Sequence, residues 1–535
     1  MSNPLLQEWI TPFGIAPFDK ISDDDFSPAF EQTLLTDMQE KLAVANNSEP
    51  PTFANTIEGL MQTGKDLDKV LSVFYSMAGA DTNEAREALM RDFSPKLSAH
   101  SSEIFANKEL FARIDKLWAR RDNLGLNSEQ SRVLMLIHRN FVRAGAALEE
   151  EEKDRIKAIK SRLAVLGTKF SQNLLKDERH WHMELSESDM EGLPDFLIDA
   201  AKVAASEKKL KGAIITLSRS LIVPFLQFSP RRELREIAYK AWAARGANGG
   251  DTDNRGLARE MLYLRQEMAF LLGYANFATF KLETEMAKTP ENVRQLLMDV
   301  WQSAKARAEK DAALLTQMML EDEINGDLEK WDWRYYAEKR RKIEHDLDEV
   351  TVKPFFQLDQ MIHAAFDCSN RLFGLEFKAV SVPLYHPDCR AWEVTRQGKH
   401  VALFIGDYFA RSSKRSGAWC SAMRSQAKFP REQTPIVINV CNFAKGNPTL
   451  LSYDEARTLF HEFGHALHQM LSGVIYEMVS GTSVPRDFVE LPSQLYEHWL
   501  EVPKVLEKFA RHVDTGESMP PALLDKVLGS ANFNM

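Results

Sequence analysis

Four long stretches, residues 53–80, 84–121, 128–175 and 291–323, carry apolar residues at three-to-four spacing with charged residues between them. That period belongs to helices with one face buried, and its recurrence predicts a mainly α protein. The acidic run Glu149–Glu152 leads into Lys153 and Arg155 and is read as a solvated helix face. Asn46–Pro51, Gly246–Gly256 and Met519–Pro521 are the breaks, each rich in Gly, Pro or Asn. Strand signals come late. Ala391–Val394 and Val401–Phe404 flank Gln397-Gly398 as a hairpin, and Pro435–Cys441 is a β-branched run. The expected plan is therefore helical, with a small sheet just before residue 454.

The 535 residues suffice for two to four domains or one large two-lobed enzyme. A net charge of −10 argues against nucleic acid or an anionic membrane as partner, since both demand basic surface. No apolar run reaches the roughly 18 residues of a membrane span, and Met1–Ile10 lacks the basic start and apolar stretch of a secretory signal. The four cysteines, Cys368, Cys389, Cys420 and Cys441, are widely spaced and form no C-x-x-C pair. They are read as free thiols in a reducing, cytoplasmic setting.

One segment carries chemistry. Asp454–Leu471 reads DEARTLFHEFGHALHQML, with Leu459, Phe460, Phe463, Ala466, Leu467, Met470 and Leu471 at helical spacing. His461 and His465, four apart, project from one face, so both imidazoles can reach one Zn²⁺ at about 2.0–2.1 Å. Glu462 falls beside the metal, where a general base is needed. Gly464 costs the helix about 1 kcal/mol against Ala. Close approach of another element or of substrate would explain it. H-E-x-x-H arises by chance in only about one such chain in a hundred.

Zinc in a catalytic site takes three protein ligands and keeps a position open. Leu471 stands near where some zinc peptidases place a third histidine, so the ligand must come from elsewhere. After the turn-rich Ser480–Asp487, a second helical pattern begins at Phe488 and runs to about Phe509. Within it, Glu490 is acidic among apolar neighbours, where an unpaired carboxylate is costly. Metal coordination would satisfy it. Asp487 either orients a ligating histidine or caps this helix, and Pro492 should kink or delimit it. His468 shares a face with His465, but a fourth protein ligand would close the site, so it is assigned to support or core. His498 is read as structural.

LFHEFGHALHQML, GTSVPRDFVELPSQLYEHW, residues 331–349 (WDWRYYAEKRRKIEHDLDE), VPLYHPDCRAWEV and PIVINVCNF together resemble the thimet oligopeptidase and neurolysin family of zinc metallopeptidases, in its peptidyl-dipeptidase branch. The likeness runs from the Pro17–Phe30 region onward. It implies one Zn²⁺ per chain on His461, His465 and Glu490, with Glu462 as base. It also implies a two-lobed helical ellipsoid with a deep substrate channel and a small β-sheet beside the zinc helix. Residues 1–225 would be an N-terminal helical region and 226–535 the catalytic region. Gly417 and Ala418 match a stretch near the substrate, although Ser416 replaces a common glycine. Peptide backbone could pair with an edge strand near the zinc helix. The implied activity is hydrolysis of short peptides by a monomer, releasing C-terminal dipeptides. The alternatives are an endo-acting oligopeptidase and a zinc-binding remnant without activity. The last rests on a departure: family members usually continue past residue 535 into a segment bearing a histidine and tyrosines that stabilise the oxyanion.

Overall fold

The computed structural model describes residues 3–345 and 349–530, so residues 346–348 of the 331–349 stretch and the final residues 531–535 lie outside it. The chain is mainly α, with seven strands in two sheets among the described residues. The periodic stretches are helical, but the predicted boundaries were too generous. Residues 53–80 break at Thr63-Gly64, where Gly64 sits at φ +73° before the helix Lys65–Ala80. Residues 84–121 break at Asn107, whose side chain accepts the Leu110 N–H at 2.8 Å and starts a new helix. Residues 128–175 break at Gly145 (φ +100°), and the second piece begins at Glu149 with a capping box closed by Glu152. The fourth stretch is one helix, Pro290–Glu321.

His182–Leu185 (β1) and Ala213–Thr216 (β2) form a short antiparallel ribbon. The larger sheet has five strands: Leu375–Val380 (β3), Arg390–Arg396 (β4), Lys399–Phe409 (β5), Trp419–Arg424 (β6) and Ile436–Phe443 (β7). Their spatial order is β3-β4-β5-β7-β6. The expected hairpin is β4–β5. Its two-residue turn, Gln397 (φ +51°) and Gly398 (φ +73°), has the left-handed pair that matches strand twist. β5 and β7 run parallel, and β6 pairs antiparallel with β7 alone, leaving β6 at the edge.

Alternation along the strands divides the sheet cleanly. Leu403, Ile405, Ile436, Ile438 and Val440 face one way, onto Phe26, Phe30, Val70 and Phe74 from the first hundred residues. Phe404, Val437, Cys441 and Phe443 face the other way, onto Leu459, Phe460 and Phe463 of the HEFGH helix. The site helix thus rests on a sheet backed by the N-terminal helices. No helix among the described residues is long and apolar enough to cross a membrane.

Candidate metal centre and active site

The HEFGH helix spans Tyr453–Met470. Ser452 starts it through a capping box: its hydroxyl accepts the Glu455 N–H at 3.1 Å, while the Glu455 carboxylate accepts the Ser452 N–H at 2.8 Å. The second helix, Arg486–Glu497, continues as a 3₁₀ turn at His498–Glu501 and restarts at Pro503. It runs through Pro492 without ending there, contrary to a delimiting role.

Gly464 explains how close the two helices come. A Cβ there would lie 2.7 Å from Ser493 Cα and 2.9 Å from the Pro492 carbonyl oxygen. Backbone therefore touches backbone at this point, and the approach of another element is the reason for the glycine. Tyr496 fastens the second helix, donating its hydroxyl to the Ala365 carbonyl at 2.7 Å and stacking on Phe460.

This contact carries Glu490 to the histidines. Glu490 Oε2 lies 3.2 Å from His461 Nε2 and 3.1 Å from His465 Nε2. Among the described residues these three form the group able to hold a metal ion. Two ligands on a tetrahedral ion, each about 2.0–2.1 Å away, stand about 3.3 Å apart, so the spacing suits one such ion. The expected setting of Glu490 was wrong. Its side chain is 49% exposed, because it projects from the rim of its helix beside the exposed Leu491 and Leu495. Burial cost does not pin it; convergence does, helped by Ser493 Oγ, which donates to Glu490 Oε2 at 3.1 Å.

His461 Nδ1 lies 2.6 Å from Glu497 Oε1. With Nδ1 engaged by Glu497, the Nε2 edge of the ring faces the Glu490 carboxylate, the side on which a metal ion would bind. Arg457 Nε stands 3.6 Å behind Glu497. Sequence reasoning missed Glu497, although seven residues after Glu490 is the same helix face. Burial lowers the pKa of His465, with partial opposition from Glu490, and a neutral ring is what a metal requires.

Glu462 is 5% exposed, and its Oε2 has no hydrogen-bond partner among the described residues. Burial pushes its pKa up to about 7; His461 opposes the shift and Glu490 adds to it. A carboxylate poised there can both take and give a proton near neutral pH.

The other expected residues lie apart. Asp487 neither caps its helix nor orients a histidine. Pro485 occupies the cap position, and the Asp487 carboxylate accepts the Met286 and Ala287 N–H groups, each at 2.9 Å. It pins the loop before Pro290. His468 stays outside the donor group; burial lowers its pKa, and its Nδ1 has no partner among the described residues. His498 is at the surface, 3.2 Å from Glu501. Gly417 (φ +94°) spends its carbonyl on Asn442 Nδ2 at 2.6 Å, and Ala418 packs against the core beneath the HEFGH helix. Both lead directly into edge strand β6.

Comparison with known proteins agrees with this geometry. Residues 225–535 match the model of peptidase family M3. The dipeptidyl carboxypeptidase of Salmonella typhimurium is 37% identical over 541 residues, covering 100% of this chain and 79% of that protein. Oligopeptidase A of Escherichia coli is 32% identical over 547 residues, covering 100% and 80%. With a family match over residues 225–535, which hold the His-His-Glu group, and relatives that align with the whole of this chain, this chain is a metallopeptidase belonging to peptidase family M3.

Proposed function

We propose that this protein is a zinc peptidase of short peptides that releases dipeptides from their C-termini. The observation that carries the reading is the meeting of His461, His465 and Glu490 in one donor group, with the buried Glu462 carboxylate on the same helix. These three would hold one Zn²⁺, which would supply a Lewis acid and bring the pKa of water toward neutrality. Glu462 takes the proton of the attacking water and passes it to the leaving amine. Glu497 fixes the His461 ring from behind. The substrate backbone lies along β6, beyond Gly417 and Ala418, as an added strand.

In this reading the catalytic region is residues 226–535 and the N-terminal helical region is 1–225. The protein works as a cytoplasmic monomer on unstructured peptides narrow enough for a deep channel. Release of dipeptides is preferred over internal cleavage because of the likeness to dipeptidyl carboxypeptidase, which exceeds that to oligopeptidase A.

The test pairs zinc content with mass analysis of products from one peptide bearing a free or an amidated C-terminus. Dipeptide products that depend on the free carboxylate are expected. Equal internal cleavage of both peptides would favour the endo-acting mode. Glu462→Gln should keep its zinc and lose about 10²–10⁴ in kcat; full activity in that variant would end the proposed mechanism.

A further inference from the structure

Strand β7 is apolar apart from Asn439 and Asn442, and Asn442 spends its amide on the Arg415 and Gly417 carbonyls. Asn439 is 2% exposed, and its Oδ1 has no hydrogen-bond partner among the described residues. A buried amide oxygen left unpaired is costly. Strand alternation gives its direction: Ile438 and Val440 face the N-terminal helices, while Val437 and Cys441 face the HEFGH helix. Asn439 therefore faces the HEFGH helix as well. In register it stands opposite Cys420 of β6, with Cys441 two residues along on the same face. Burial pushes the pKa of both thiols up, and the Glu462 carboxylate adds to the shift. The inner oxygen of Glu462, Oε2, is the second buried acceptor without a partner here.

Two stranded acceptors need a bridge that donates twice. One water does so, and its lone pairs can accept from the flanking S–H groups. We propose that Asn439 is a positioning residue for Glu462, holding the inner oxygen of the carboxylate through a single buried water. The outer oxygen is then left aimed at the substrate. This inference rests on reading Glu462 as the general base.

Two arms test it. In metal-free protein, urea midpoints are compared for wild type, Asn439→Leu, Glu462→Met and the double variant. A shared bridge predicts that each single change strands the other acceptor, so the double variant loses less than the two single losses combined. In zinc-loaded protein, Asn439→Leu should keep its zinc content and KM while kcat falls about 10- to 100-fold. Asn439→Ser, which retains a polar atom, should recover part of that loss. Additive midpoints, or an unchanged kcat in Asn439→Leu, would overturn the assignment. If the wild-type chain cleaves no peptide, the proposed function fails separately, and the midpoint arm still decides whether the two groups share a partner.

Discussion

Glu490 reaches the histidines from an exposed rim, so geometry and not burial makes it the candidate third donor. The two histidines were legible because helical pitch alone brings positions four apart to one face. Glu490 stood out as a carboxylate in an apolar run, but the inferred penalty was misplaced, since Leu491 and Leu495 are themselves exposed. Glu497 and Asn439 gave no such signal. One looks like any surface glutamate, and the other's role depends on which strand lies beside it. Glu497 yields a residue-scale prediction. Glu497→Ala frees the His461 ring, and zinc affinity should fall about 10–100-fold, read by competition with a chelator while the circular dichroism spectrum stays unchanged.

At the scale of elements, helix type was clear from periodicity, but helix ends were not. Asn107 and Glu149 resemble ordinary polar positions until their side chains are seen capping a new helix. The β4–β5 hairpin was readable because Gln397-Gly398 prescribes its turn; β6 was missed because WCSAMR has no clean alternation. The contact at Gly464 governs the site. Gly464→Ala should destabilise the protein by roughly 1–3 kcal/mol, because the methyl meets backbone at Ser493 and Pro492 that cannot rotate away. It should also move Glu490 outward. A lowered urea midpoint together with weakened zinc binding is the expected pair of results; a gain in stability, as for an ordinary helix glycine, would contradict it.

Over the whole molecule, two stretches that carry the family likeness serve the scaffold. Asp332, from WDWRYY, is buried against Arg235 Nη2 at 2.9 Å and Arg232 Nη2 at 2.7 Å. Tyr385, from VPLYHPDC, donates to Asp407 at 2.7 Å, and Asp407 also binds Arg411 and Lys414. Burial opposes ionisation of both carboxylates, yet the hydrogen bonds and cations hold each pKa below its ordinary value. A depressed native pKa contributes stability above the unfolded value of about 3.9 and loses it as pH falls through the native one. The contribution of these two carboxylates to the urea midpoint should therefore be steady from pH 7 to about 5 and drop steeply below about 4. Asp407→Asn should flatten part of that fall, while costing about 3–5 kcal/mol at neutral pH by leaving buried cations unpaired.

The two helices that carry the candidate metal donors are joined by Gly464 against Ser493 and by Phe460 stacked on Tyr496, whose hydroxyl is tied to Ala365 of the helix Leu358–Phe373, and none of these contacts involves the donors themselves. The socket therefore exists independently of what fills it. Chelation should abolish peptide cleavage while sparing helix content and cooperative unfolding, and added Zn²⁺ should restore activity without refolding. Such a socket is also exchangeable. Co²⁺, which accepts the same donors, should enter the emptied protein and make the site visible by its absorption, turning a silent centre into a spectroscopic one.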